Sequence, residues 1–189
     1  MRPAGLTKLI EELSSDPFNP ELNFNIAVEY EKLGQTASAS SFYLRTAEYG
    51  YETHPEHVYA SLLKMAHCFE DQNDRQHTVS NCILQAIGYL PNRKEGYFLI
   101  SQFYERSGQW QECYTWANVG LSKQDHQPLP VSVGFLGDYC FEFEKAVSSW
   151  WIGRVEESIM LLNQLNLRDD VHPQYKQAIE HNMNRIYNK

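Results

Sequence analysis

A tyrosine stands four residues before a glycine at Tyr30–Gly34 and again at Tyr104–Gly108, and the agreement around the two places extends well beyond the pair. Seven residues before each glycine is a small residue, Ala27 and Ser101; eight before is Ile26 and Ile100; five after is Ala39 and Cys113. Another copy runs through Met65, Ala66, Phe69 and Asn73, followed by Ala86 and Pro91, and a further one through Ala146, Trp150, Gly153 and Ser158. The turn positions 34, 73, 108 and 153 lie 39, 35 and 45 residues apart, a repeat of about 34 residues with insertions. Large and small residues at fixed places let one helix seat closely on the next, and such a unit buries its apolar face only by stacking on its neighbours.

Local periodicity agrees. Apolar residues recur at helical spacing in Phe24, Ala27, Val28 and Tyr30, in Leu62, Met65, Ala66 and Phe69, and in Tyr97, Ile100 and Tyr104. Alternation of the strand kind occurs only near Leu129–Val133, where Pro128 and Pro130 interrupt it. Asn19-Pro20 supplies a helix cap and a first-turn proline. Pro91-Asn92 with Glu95 resembles a capping box, and Pro55 and Pro173 open two further helices. Helices are predicted near 5–14, 20–33, 36–49, 55–72, 75–89, 93–107, 110–122, 134–152, 155–166 and 173–187, joined by short connections that force neighbours antiparallel. The expected fold is all-α: a right-handed α-solenoid of about ten helices stacked as antiparallel hairpins. It forms a single domain over 1–189, with an N-terminal helix in 1–19, about four helix pairs over 20–166 and a capping helix in 171–189.

Over residues 20–166 the chain resembles the tetratricopeptide (TPR) repeat family, whose order of aromatic, leucine, small residue, tyrosine, turn glycine, alanine and late proline it follows. Tyr97, Ile100, Ser101, Tyr104, Gly108, Cys113 and Leu121 match best. The resemblance implies a protein-interaction scaffold that does no catalysis. Residues 90–154 also resemble the TPR-like segment accompanying some family 2 glycosyltransferases. The shared features are Leu90-Pro91, Glu95 before an aromatic helix, Gly108-Gln109-Trp110, Gly120-Leu121, Phe135-Leu136-Gly137-Asp138-Tyr139 and Trp150-Trp151-Ile152-Gly153. That likeness implies a glycosyltransferase as a partner, or a sugar- or glycan-binding accessory role beside one. The nucleotide-sugar sheet and the Asp-x-Asp motif of such enzymes have no counterpart here.

Chemistry-bearing patterns are sparse. The formal charge of −8 argues against nucleic acid, whose binding rests on clustered Lys and Arg. No apolar run approaches the roughly 20 residues of a membrane-spanning helix, and no secretory leader is evident, so a cytoplasmic location is expected. Cys68, Cys82, Cys113 and Cys140 lack metal or disulfide spacing and are expected to be buried, reduced thiols. His54 with His57, and His67 with Glu70 and Asp71, are the nearest approach to metal ligands, and neither completes a site. Nucleophile elbows and phosphate loops are missing, so no cofactor, metal or catalytic residue is expected.

Projected on the TPR register, the first helix of each pair faces the hollow side of the stack. The candidate partner-binding groove is then Phe24, Val28 and Lys32; Leu63, His67 and Asp71; Phe98, Gln102 and Arg106; and Phe143, Val147, Trp150 and Trp151. Phe24, Leu63, Phe98 and Phe143 share one rung, which suggests an apolar stripe for a protein or peptide; alternatively these rings pack against the terminal helices. Lys and Asn are missing from the rungs where chaperone-binding TPR domains clamp a C-terminal carboxylate, which disfavours that role. Trp150 and Trp151 point about 100° apart on a helix, so either one is exposed or both are buried under the last helix. Replacing Phe98 and Arg106 is expected to weaken partner binding and leave helicity intact.

Overall fold

The computed structural model describes residues 4–72, 75–124 and 127–187, with the side chain of Tyr187 and the turn position Asn73 outside them. Among the described residues the elements are ten α-helices and no strand: α1 (Ala4–Ser15), α2 (Pro20–Lys32), α3 (Thr36–Tyr49), α4 (Pro55–Glu70), α5 (Gln76–Tyr89), α6 (Lys94–Arg106), α7 (Trp110–Leu121), α8 (Asp138–Trp151), α9 (Val155–Asn166) and α10 (Pro173–Tyr187).

The boundaries have local causes. Asn19 Oδ1 accepts from the Leu22 N–H at 3.0 Å, with Pro20 at the first helical position, where no amide is needed. Gly34 ends α2 with φ +69°, and its N–H donates to the Glu31 carbonyl while the Gln35 N–H donates to the Tyr30 carbonyl, both at 2.9 Å. Gly108 repeats that geometry with the same φ and the same two distances, to Glu105 and Tyr104. Gly153 does so again, with Arg154 N–H on the Ser149 carbonyl at 2.8 Å. This is the left-handed helix-end motif in which a glycine avoids the Cβ penalty. It accounts for the recurrence of glycine at the turn of each of these pairs.

Two expected boundaries differ. Arg93, rather than Asn92, caps α6, with no capping side chain. Glu95 instead accepts from the Arg93 guanidinium at 2.6 and 3.2 Å, because that guanidinium is buried and must be neutralised. α8 begins at Asp138 rather than near 134, since Gly134 (φ +87°) and Gly137 (φ +137°) hold the backbone out of the helix. The stretch between them carries Phe135, whose ring meets Phe98 and Phe141.

The chain divides into two compact units, Met1–Asn92 with His126–Val133, and Arg93–Asp125 with Gly134–Lys189. In the first, α2 pairs with α3 and α4 with α5, α3 packs on α4, and α1 lies along α2 through the buried Leu6. Its core holds Ile26, Tyr43, Val58, Tyr59 and Leu63. In the second, α6 pairs with α7 and α8 with α9, α7 packs on α8, and α10 covers α9 and α8. Phe98, Ile100, Phe141, Leu162, Leu165 and Ile179 form its core. The small repeat residues Ala27, Ala39, Ala66, Ala86, Ser101, Cys113, Ala146 and Ser158 are all buried, as seats for the facing helix. Contact between α7 and α8 is closer still: a Cβ on Gly120 would stand 2.1 Å from Phe141. Cys68, Cys82, Cys113 and Cys140 are buried and unbonded to one another, as expected.

Candidate binding site

Three of the four members of the rung predicted to line a groove are core within their own units. Phe24, Leu63 and Phe98 expose 3%, 0% and 1% of their surface, too little to form an open stripe. Phe24 lies edge-on to Tyr43 and His57, with centroids at 5.7 and 4.9 Å. Phe98 is held by Phe135 and Phe141 at 5.6 and 6.0 Å. Phe143 is half-buried, edge-on to Tyr175 of α10 at 5.2 Å. Large rings next to the small seats fill the layer between helices, since burying such a ring gains more than exposing it.

The polar members are scattered. Lys32 is exposed and pairs with Glu29 at 2.7 Å; Asp71 and Arg106 are exposed, and Val28, His67 and Gln102 are half-buried. In the first unit the polar contacts between α2 and α4 are internal. Lys64, nearly buried, pairs with Glu31 at 2.7 Å, and Tyr43 donates to the same carboxylate at 2.6 Å. In the second unit Glu144 of α8 is buried beside Cys113, whose thiol lies 3.8 Å from its carboxylate. Burial, helped by the charge of Glu105, pushes its carboxyl up to about 8, although Gln102, Arg106 and Cys113 pull the other way. These buried groups are engaged with one another inside each unit and carry the packing.

Val147, Trp150 and Trp151 do come together. With Ser158 and Leu162 of α9 and Asn182, Arg185 and Ile186 of α10, they line a pocket of about 60 Å³. Trp151 is 54% exposed at its edge and stacks on Trp110, with centroids at 5.1 Å and planes 13° apart, while Trp150 is half-buried. Of the two arrangements open from the sequence, one tryptophan outward and one inward is the one found. The α10 wall is fixed by Ile179 in the core, by Tyr175 against Tyr139 and Phe143, and by Lys176. The Lys176 ammonium donates to the last carbonyls of α9, Leu165 at 3.2 Å and Asn166 at 2.6 Å. The sequence reading missed Ser158, Leu162, Asn182, Arg185 and Ile186 as lining residues. For the α10 members the signal was the spacing of 182, 185 and 186 on one helical face, and for the α9 members the i, i+4 pair 158 and 162.

Comparison with known structures is decisive for the architecture. PilW, a type IV pilus biogenesis factor, superposes with a TM-score of 0.68 at 14% identity, covering 90% of this chain and 71% of its own. TTC0263, a thermophilic TPR protein of Thermus thermophilus, gives 0.59 at 14% identity, over 93% and 87%. YrrB, a TPR protein with an unusual peptide-binding site, gives 0.60 at 10% identity, over 85% and 74%.

The fold is that of the TPR proteins.

No family profile matches the sequence, and no curated protein does. The TPR likeness therefore rests on the repeat positions and the helix hairpins they build. Among the described residues no helix is long and apolar enough to cross a membrane, and no group of three or more His, Cys, Asp and Glu is placed to hold a metal ion.

Proposed function

We propose that this chain is a non-catalytic protein-interaction module that docks a peptide segment of its partner on the α8–α10 face of the second unit. The observation that carries the reading is an open, partly apolar pocket with an exposed indole at its rim, on a TPR fold. Exposed tryptophans beside desolvated apolar pockets are the usual energetic centres of protein interfaces. YrrB, which shares the fold, is a TPR protein with a peptide-binding site. Four buried free thiols agree with work in the reducing cytoplasm.

The partner we propose is a family 2 glycosyltransferase, on the strength of the sequence resemblance over 90–154. The wild-type chain and Trp151→Ala, immobilised as bait, test both levels. Recovery of one defined partner by the wild type and its loss by the variant, with unchanged helicity, supports docking at this face, and the partner's identity decides the finer reading. Equal capture by both variants refutes the assignment to this face. Titration of oligosaccharides against Trp emission separates the glycan-binding alternative: a saturable change there, with no protein captured, would replace the peptide reading.

A further inference from the structure

We infer that the pocket between α8, α9 and α10 is a socket for a single branched aliphatic side chain of an acidic peptide. In this socket Ser158 is the buried hydrogen-bonding group and Arg185 the partner of the neighbouring carboxylate. The inference rests on the docking reading above and specifies its ligand.

Size comes first. The pocket measures about 60 Å³, well below the roughly 150 Å³ that holds a benzene ring in an apolar protein cavity. A Val, Leu or Ile side chain matches this volume better than a pyranose or indole ring, most of which would project from the open mouth. Val147, Leu162, Ile186 and the flanks of Trp150 and Trp151 provide apolar walls for it.

The polar atoms identify the rest of the ligand. Ser158 has no exposed surface, and its hydroxyl finds no hydrogen-bond partner among the described residues; Ser61 and Ser149 share that state, but of the three only Ser158 lines this pocket. Buried hydroxyls are nearly always satisfied, and this one lines the pocket, so a group entering from outside is placed to satisfy it. Asn182 spends one amide hydrogen on the Ala178 carbonyl at 2.9 Å, and its own carbonyl oxygen remains to accept from a peptide N–H.

Arg185 is exposed and makes no ion pair or hydrogen bond among the described residues. The other cations of this region are engaged. Lys145 and Arg154 hold Glu157 at 3.0 and 3.6 Å, Arg168 holds Glu142 and Asp170, and Lys176 caps α9. A guanidinium with no carboxylate among the described residues, at the rim of a partly apolar pocket, complements an acid flanking the inserted side chain.

The test uses the intact ¹⁵N-labelled chain and four probes: acetyl-Gly-Leu-Asp-amide, acetyl-Gly-Leu-Asn-amide, acetyl-Gly-Gly-Asp-amide and cellobiose. The first should shift the Ser158 amide and the Trp150 and Trp151 indole resonances saturably. The asparagine probe should bind about threefold to tenfold more weakly, the glycine probe should give no saturable shift, and Arg185→Gln should erase the preference for Asp over Asn. Ser158→Ala should weaken the leucine probes at least about threefold while the urea midpoint of the free chain stays or rises, since the substitution removes an unsatisfied group. Absence of saturable shifts up to the solubility limit overturns the inference, as do unchanged affinity in Ser158→Ala or cellobiose shifting these resonances in place of the peptides. If the probes fail while the bait still captures its partner in a Trp151-dependent way, the socket is wrong and the docking reading stands. Bait capture that is not Trp151-dependent takes the docking reading down with it.

Discussion

Glu144→Gln tests the interior of the second unit most directly. The carboxyl exposes 3% of its surface and titrates at about 8 rather than 4.5, chiefly because burial disfavours the charged form. At neutral pH it therefore holds a proton in the folded chain that the unfolded chain has released. Over this range the unfolded state binds fewer protons, so stability must fall as pH rises. Each pKa unit is worth about 1.4 kcal/mol, so the fold loses about 3–4 kcal/mol through this group between pH 5 and pH 8, and little more above that. Glutamine keeps the shape and cannot ionise. The wild type and Glu144→Gln should be nearly equal in stability at pH 5 and should diverge steadily towards pH 8, with the variant the more stable. All four tryptophans, Trp110, Trp116, Trp150 and Trp151, lie in the second unit, so urea titrations read by Trp emission follow this unit alone. Glu105, whose carboxyl is also raised by burial, is present in both chains and drops out of the difference. Parallel pH profiles for the two proteins would refute the reasoning, because the carboxyl would then titrate alike folded and unfolded.

Two alanine substitutions of glycine should fail for different reasons. Gly120→Ala drives a Cβ to 2.1 Å from the buried Phe141 and should cost about 2–3 kcal/mol of urea stability. Gly34→Ala meets open space and only the left-handed φ of +69°, so about 1–2 kcal/mol is expected by far-UV circular dichroism. Lys64→Met leaves Glu31 in the interior without its cation. A loss of about 2–3 kcal/mol is expected, discounted because Glu31 is partly solvated, and Glu31→Gln in the same chain should recover much of it. Phe98→Ala should lower the urea midpoint by the equivalent of about 3–5 kcal/mol instead of acting on partner binding alone, since the ring is enclosed by Phe135 and Phe141.

Helices and turns could be read from the chain because their causes are local. Proline at 20, 55 and 173 and glycine at 34, 108 and 153 act within one turn of themselves, and the small seats recur at fixed offsets. The groove could not be read the same way. A repeat register gives the direction in which a Cα–Cβ bond leaves its helix, but whether Phe98 meets water depends on Phe135 and Phe141, more than thirty residues away. Charged residues at helical spacing likewise look like solvated surface, so the burial of Lys64, Arg93, Lys94 and Glu144 left no trace in the pattern. The pocket had a partial signature: Val147, Trp150 and Trp151 were placed from α8 alone, but its far wall comes from α10, which follows the last and least regular repeat.

Helix pairs of similar length and outline have several ways to settle against one another, each a helical turn, about 5.4 Å, from the next. In the first unit one carboxylate rules most of them out. Glu31 clasps the ammonium of Lys64 from the following pair and the hydroxyl of Tyr43 from its own. A slip by a single turn would part all three and leave the nearly buried Lys64 ammonium without its carboxylate, at about 2–3 kcal/mol. Greasy surfaces would forgive such a slip; this latch does not, so the vertical alignment of these two pairs is dictated by charge where shape alone would leave a choice.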